Sequence, residues 1–307
     1  MKKILKHQLL ITLLVLNSVI FILFSPNYYI FELFLSMAFQ ITIGIGVLAI
    51  LFILYKKWIG TSIYLIAILL IYTNIPYFHF SNTEKVKIDN IDLKVAHFNV
   101  LKFNTDYNKT IDAIIESQAD LVSINEMTHQ WKNALDTALK NKYPFRYLVA
   151  QNNSFGIGVF SKKELSNCET IWFEGLPYIV GEILVEERKT IQFLTAHTIP
   201  PTNKYAFAKR NKEIKHIEKH LKKSELPKLI IGDFNAVSWS PIMEKMRTGL
   251  NLSDSRKSYK PSYPAWNKLL MIPIDHIFYT KEISCLSFNT IKTTNSDHYG
   301  IIGFYRL

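Results

Sequence analysis

Apolar residues dominate the first quarter of the chain in three runs. Leu9 to Phe24 is almost wholly apolar, and Phe31 to Tyr55 is interrupted only by Glu32 and Gln40 as strongly polar residues. A third run, Ile59 to Phe80, ends in the aromatic cluster Tyr77-Phe78-His79-Phe80. A bilayer span takes about 20 apolar residues, so residues 1–80 are predicted to form a membrane anchor of three transmembrane helices. Lys2, Lys3 and Lys6 before the first run also fit a cleaved signal peptide. No small-residue cleavage site follows, however, and a second long apolar run begins almost at once, which argues for a retained anchor.

The basic residues orient that anchor. Lys2, Lys3 and Lys6 precede the first run, Lys56 and Lys57 separate the second from the third, and Ser25–Ile30 carries none. The positive-inside rule places the amino terminus and the Lys56-Lys57 loop in the cytoplasm. Three crossings then deliver everything after Phe80 to the outer side of a cytoplasmic membrane.

Residues 81–91 read as a polar linker, and residues 92–307 as one globular domain. The ten residues 81–90 reach at most about 35 Å when extended, so such a domain stays near the membrane surface. The pattern within it alternates between periods of two and of 3.6. Strands are predicted at Leu93–Val100, Leu121–Ile124, Tyr147–Ala150, Gly158–Ser161, Leu229–Ile231, Ile274–Tyr279 and Gly300–Tyr305, with a hairpin of Glu182–Val185 and Thr190–Ala196. Helices are predicted at Lys109–Ser117, Met127–Lys140 and Ala206–Leu221, the last with Ile214, Ile217 and Leu221 opposite a basic face. Hairpins mixed with helices point to an α/β domain of two packed sheets with helices outside, rather than to a doubly wound parallel sheet.

Removing Lys2, Lys3, Lys6, Lys56, Lys57 and Glu32 from the 36 basic and 25 acidic residues leaves 31 and 24, a surplus of +7 on the domain. That charge suits a polyanion or an anionic surface, and also ordinary solubility. Cys168 and Cys285 are the only cysteines; a pair and two free thiols both remain open.

Polar residues recur at the ends of the predicted strands: His97-Phe98-Asn99-Val100, Asn125-Glu126, Gly232-Asp233-Phe234-Asn235, Ile274-Asp275-His276-Ile277 and Ser296-Asp297-His298. Each alone also fits a turn or a cap. Together they supply hard oxygen ligands and imidazoles at one mouth of a sheet, a set suited to a divalent cation and a phosphate ester. Glu126 is a candidate cation ligand, and Asp233 can orient or deprotonate a water. Asn235, two residues on, is expected on the same side of an extended segment, where it can donate to a phosphoryl oxygen. Asp275 can fix the tautomer of a catalytic histidine. His197, in Thr195-Ala196-His197-Thr198-Ile199-Pro200, ends another strand.

In this order the motifs resemble the endonuclease/exonuclease/phosphatase superfamily over about residues 92–307. The resemblance implies a four-layer α/β sandwich, a Mg²⁺ or Mn²⁺ cofactor, and attack of water on a phosphoester. It implies that Asn99, Glu126 and Asp297 serve the metal and that Asp233 aligns or deprotonates the water. Asn235 and His197 would hold the phosphoryl group. His298, oriented by Asp275, would stabilise developing charge or protonate the leaving oxygen. Two departures stand out. His197-Thr198-Ile199-Pro200 replaces the Tyr-x-Pro-Asn of abasic-site endonucleases and resembles the deoxyribonuclease and sphingomyelinase branches. Leu101 stands where some relatives have a metal-binding Asp. An acidic partner for His197 is expected, with Glu174 and Glu182 as candidates.

The expected partners are the lipid bilayer and a phosphoester substrate, with no obligate protein partner. Nucleic acid is placed ahead of lipid because the Lys-rich Ala206–Lys223 and the aromatics Tyr259, Tyr263 and Trp266 could track a backbone and stack bases. A phospholipid phosphodiesterase or phosphatase and a non-catalytic phosphate-binding protein are the alternatives.

Overall fold

The computed structural model describes residues 2–24, 27–75, 77, 91–186, 189–293 and 295–307. Residues 81–90 of the expected linker, the end of the third apolar run, and the turn residues Glu187 and Arg188 lie outside them.

From residue 91 onward the chain folds as two stacked six-stranded sheets. The first contains β1 (Leu93–Asn99), β2 (Leu121–Asn125), β3 (Phe145–Val149), β4 (Ile157–Ser161), β11 (Ser284–Ile291) and β12 (Gly300–Arg306). Their order is β11-β12-β1-β2-β4-β3. The second contains β5 (Leu165–Phe173), β6 (Leu176–Glu186), β7 (Lys189–His197), β8 (Lys228–Asp233), β9 (Leu252–Asp254) and β10 (Asp275–Thr280), in the order β5-β6-β7-β8-β10-β9. Alternation drives the stacking. Val95, Leu121, Val159, Ile191, Phe193, Leu229, Ile231 and Ile277 point inward and form one buried core between the sheets. The opposite faces are covered by helices. Helices α5 (Tyr107–Glu116) and α6 (His129–Leu139) lie on the first sheet, and α7 (Lys204–Leu221) and α8 (Pro241–Gly249) on the second. This is the expected four-layer arrangement.

Each sheet has one parallel pair at its centre, β1 with β2 and β7 with β8. The carboxyl ends of these four strands therefore reach one edge of the sandwich, where β10 and β12 begin antiparallel to β8 and β1. Four elements escape the expected pattern: β5, α8, β9 and β11. Strand β5 is an edge strand with no fully buried residue, and β11 is an edge strand bulged between Cys285 and Ser287, so neither keeps a clean alternation. Both cysteines are free thiols.

The amino-terminal segment departs from three simple spans. It forms α1 (Lys2–Leu23), α2 (Tyr29–Ser36), α3 (Ala38–Leu54) and α4 (Trp58–Asn74). The second apolar run breaks at Met37, where α2 and α3 meet at 62°. Among the described residues no single helix is long and apolar enough to cross a membrane, though this bent pair meets the criterion together. The physical reason is length. Helices α3 and α4 have 17 residues each, about 25 Å of rise against a hydrocarbon core of about 30 Å.

These helices dock directly on the domain. Glu32, buried in α2, pairs with the fully buried Arg210 of α7 at 3.1 Å. Trp239 Nε1 donates to the Leu35 carbonyl, and the Gln40 side-chain amide Nε2 donates to the Met271 carbonyl at 2.8 Å. Phe39 stacks on Tyr259 with centroids 3.9 Å apart. Helix α3 runs from these contacts to the Lys56-Lys57 turn, and α4 returns toward Tyr77, whose ring lies 5.5 Å from Trp239.

Candidate active site

Register alone places three of the motif residues side by side. His197 ends β7 opposite Asp233 at the end of β8, and Asp275 opens β10 opposite the same Asp233. Gly232 makes this possible. Its φ is +142°, and a Cβ there would lie 2.0 Å from the Ala196 carbonyl oxygen, so only glycine allows β7 to approach. Asn235 then turns left-handed at φ +48°. It stays beside Asp233 because its N–H donates to Asp233 Oδ1 at 2.9 Å, not because of strand alternation. Its side-chain amide donates to the Thr198 carbonyl at 2.8 Å.

The other sheet brings Asn99 and Glu126. Strands β1 and β2 end in the register pair Asn99–Asn125, and Glu126 follows at φ +62°. The Asn99 amide donates to Glu126 Oε1 at 3.3 Å and to Asp233 Oδ2 at 3.4 Å, linking the two sheets across the mouth. The Lys102 N–H holds Glu126 Oε2 at 3.0 Å. Behind them Asn125 Nδ2 donates to the Ala196 carbonyl and Ser123 bonds to Thr195, so the sheets are pinned together beneath the site.

His298 completes the cluster from the turn before β12. Its Nδ1 lies 2.9 Å from Asp275 Oδ2 and its Nε2 3.7 Å from Asp233 Oδ2. Burial works against a charged imidazole, but Asp275, Asp233 and Asp297 outweigh it, and the His298 pKa rises to about 10. It is therefore an imidazolium at neutral pH. Burial would raise Asp275, yet His298 and His97 hold its carboxyl well below the usual range. Asp233 goes the other way, to about 6, through burial and the charge of Asp275. His197 is pushed down by burial. Its Nδ1–H donates to the Ser154 carbonyl at 2.9 Å, leaving Nε2 toward Asp233 Oδ2 at 3.5 Å.

The residues present fit a divalent cation. Asp297 Oδ1 is buried with no hydrogen-bond partner. Burial raises the Asp297 carboxyl, and the charges of Glu126 and Asp275 add to that rise against His298. Carboxylates that repel one another around an unpartnered buried oxygen suit a hard cation. Ligand atoms of Asp233, Asp275 and His298 also lie within 4.8 Å of one another, close enough to share an ion. Asp275 and His298 already bond to each other, and His298 carries a proton, so the Glu126 and Asp297 side offers the better ligands.

All eight expected residues thus converge. The expected acidic partner of His197 is different: Glu174 pairs with Lys209 and Glu182 with Asn167, while His197 uses a carbonyl and Asp233. Two further neighbours belong to the cluster. His97 Nε2 lies 3.3 Å from Asp275 Oδ1, a second imidazole on that carboxylate. The Tyr263 ring sits 4.7 Å from the His298 ring, and its hydroxyl is raised by burial and by Asp297, Asp233 and Glu126. Strand-end position was the signal for His97; Tyr263 was expected as a base-stacking aromatic, and nothing in its loop signalled a place beside His298.

Comparison with known proteins places this geometry. Among solved structures, an endonuclease/exonuclease/phosphatase from Beutenbergia cavernae superposes with TM-score 0.59 at 14% identity, covering 71% of this chain and 72% of that one. Beta toxin from Staphylococcus aureus gives 0.54 at 17%, covering 69% and 99%. The human nocturnin catalytic domain with bound sulfate gives 0.56 at 17%, covering 71% and 96%. At such identities the likeness is one of fold. No curated protein matches the sequence. The sequence pattern of the Endonuclease/Exonuclease/phosphatase family matches residues 96–298, from within β1 to His298, and the chain belongs to that family.

Proposed function

We propose that the chain is a divalent-metal-dependent phosphoester hydrolase, of the phosphodiesterase type, held on a membrane by its amino-terminal helices. The observation that carries the chemistry is the buried relay Asp275–His298–Asp233, with one carboxylate held ionised, one imidazole held charged and one carboxylate raised to about 6. Environments that push neighbouring pKa values apart assign the acid and the base. Asp233, the weaker acid of the two, orients the attacking water and takes its proton. His298, charged at neutral pH, stabilises the developing negative charge and donates to the leaving oxygen. Asp275 holds the His298 ring by Nδ1, and His97 holds Asp275 from the other side. Asn235 and His197 flank Asp233, where they receive the phosphoryl oxygens. Glu126 and Asp297, steadied by Asn99, would hold Mg²⁺ or Mn²⁺, which when bound supplies Lewis-acid charge to the phosphoryl group.

Membrane attachment rests on the exposed apolar faces of the helices, among them Leu9, Leu13, Ile43, Ile50, Leu65 and Leu69. So much exposed apolar surface is costly in water. The Lys56-Lys57 turn lies at the far end of α3 from the domain, which supports a cytoplasmic turn and an extracytoplasmic domain. The same chemistry serves a diester in nucleic acid or in a lipid headgroup. The test is hydrolysis of a soluble chromogenic phosphodiester by the chelator-stripped full chain, with Mg²⁺ or Mn²⁺ restored. Metal-restored turnover is expected; turnover indifferent to chelation and metal would overturn the reading.

A further inference from the structure

Resting on that hydrolase reading, we propose that the substrate is a phosphoester carried by a membrane lipid, which the site takes directly from the bilayer surface. The segment between β9 and β10 joins the site to the anchor. At its near end the Tyr263 ring packs on His298, and the Ala265 N–H donates to the Asp297 carbonyl at 2.7 Å. At its far end the Met271 carbonyl accepts from Gln40 of α3. Between these fixed points projects the tip Trp266-Asn267-Lys268-Leu269-Leu270. Trp266 is 72% exposed and Leu269 80%, with Leu270 also exposed. The tip is shaped by its own bonds, Asn267 N–H to the Pro264 carbonyl and Leu270 N–H to the Asn267 carbonyl. Its apolar side chains are therefore not needed to fold it.

Two further sites repeat the motif, one in a loop and one in a helical turn. Phe103 is 77% exposed beside Lys102, whose N–H holds Glu126, and Lys102 Nζ lies 4.7 Å from the Phe103 ring. Tyr205 is 75% exposed in the first turn of α7, with Lys204 Nζ 5.0 Å from its ring. That turn adjoins the anchor, since Tyr29 of α2 donates to the Thr202 carbonyl at 2.9 Å. Protruding apolar residues paired with lysine, beside the anchor and around the site mouth, are the composition of an interfacial membrane contact. Aromatics with lysine would also suit single-stranded nucleic acid. Leu269 and Leu270 cannot stack on bases, and the anchor docks on this same edge, so the bilayer is the surface the mouth meets.

The full chain in proteoliposomes of phosphatidylcholine, phosphatidylethanolamine, phosphatidylglycerol and sphingomyelin should release phosphorylated headgroup or phosphate with Mg²⁺. The double variant Trp266→Ser/Leu269→Ser should lose roughly tenfold or more of that activity, because neither side chain can leave water. It should keep its rate on the soluble chromogenic diester, since neither residue touches the catalytic cluster. Independently, lipids brominated on their acyl chains should quench fluorescence that disappears in Trp266→Phe. Hydrolysis of the soluble diester or of single-stranded DNA without hydrolysis of vesicle lipid would overturn the lipid assignment alone. So would equal losses on vesicles and soluble diester, or absence of Trp266-dependent quenching. No hydrolysis of any substrate would overturn the hydrolase reading, and this inference with it.

Discussion

Replacing Asp275 by Asn tests the electrostatic design of the site. Asp275 accepts from His298 at 2.9 Å and faces His97 at 3.3 Å, and all three side chains are buried. The rise of His298 from 6.5 to about 10 corresponds to stabilisation of the imidazolium of the order of 5 kcal/mol. Removing one partner of a buried pair costs about 3–5 kcal/mol, so Asp275→Asn should fall in that range near neutrality. The sign follows from the direction of the shift. A histidine raised on folding contributes stability that is complete below its unfolded pKa and lost as pH rises through its folded pKa. The parent-minus-variant difference should therefore be largest below about 6.5 and contract toward about 10. Urea unfolding of the full chain in detergent with chelator, repeated across that pH range, measures it. A difference that stays constant with pH, or lies below about 1 kcal/mol throughout, would refute the assignment of His298 as the charged partner.

Other outcomes follow from the same contacts. Glu32→Gln leaves the buried Arg210 without its counter-charge and should lower the unfolding free energy by about 3 kcal/mol or more; an unchanged thermal midpoint would contradict the docking of α2. Because Arg210 Nη1 also donates to the Asn235 carbonyl at 2.7 Å, that variant should also raise KM for the soluble diester. Asp297→Asn removes the half-buried carboxylate whose Oδ1 has no hydrogen-bond partner and should weaken Mn²⁺ binding about tenfold or more by calorimetry; unchanged affinity would place the ion elsewhere. Burial and the charge of Asp275 raise Asp233 to about 6, and a bound cation would lower that value. The acid limb of the rate profile should therefore lie at or below that pH and disappear in Asp233→Asn.

The site was legible in the sequence because its residues sit at strand ends, where apolar runs stop at Asn99, Asn125-Glu126, Asp233 and Asp275. Parallel central pairs carry those ends to one edge, so the motif order alone brought them together. What sequence could not disclose depends on partners without side-chain signatures. His197 is held by the carbonyl of Ser154, and Asn235 is aimed by a left-handed turn and a backbone bond to Asp233. The break at Met37 was hidden for a similar reason. Glu32 reads as a lone polar residue in an apolar run until Arg210, 178 residues away, is seen to bury it. Strands β5 and β11 were illegible because sheet-edge strands need not alternate.

The most direct test of the central claim is the turnover of a soluble phosphodiester by the full chain with Mg²⁺, measured beside Asp233→Ala and His298→Ala. The account predicts clear activity in the parent and a loss of about 10²-fold or more in each variant, with folding retained by circular dichroism. Folded variants that match the parent would contradict it.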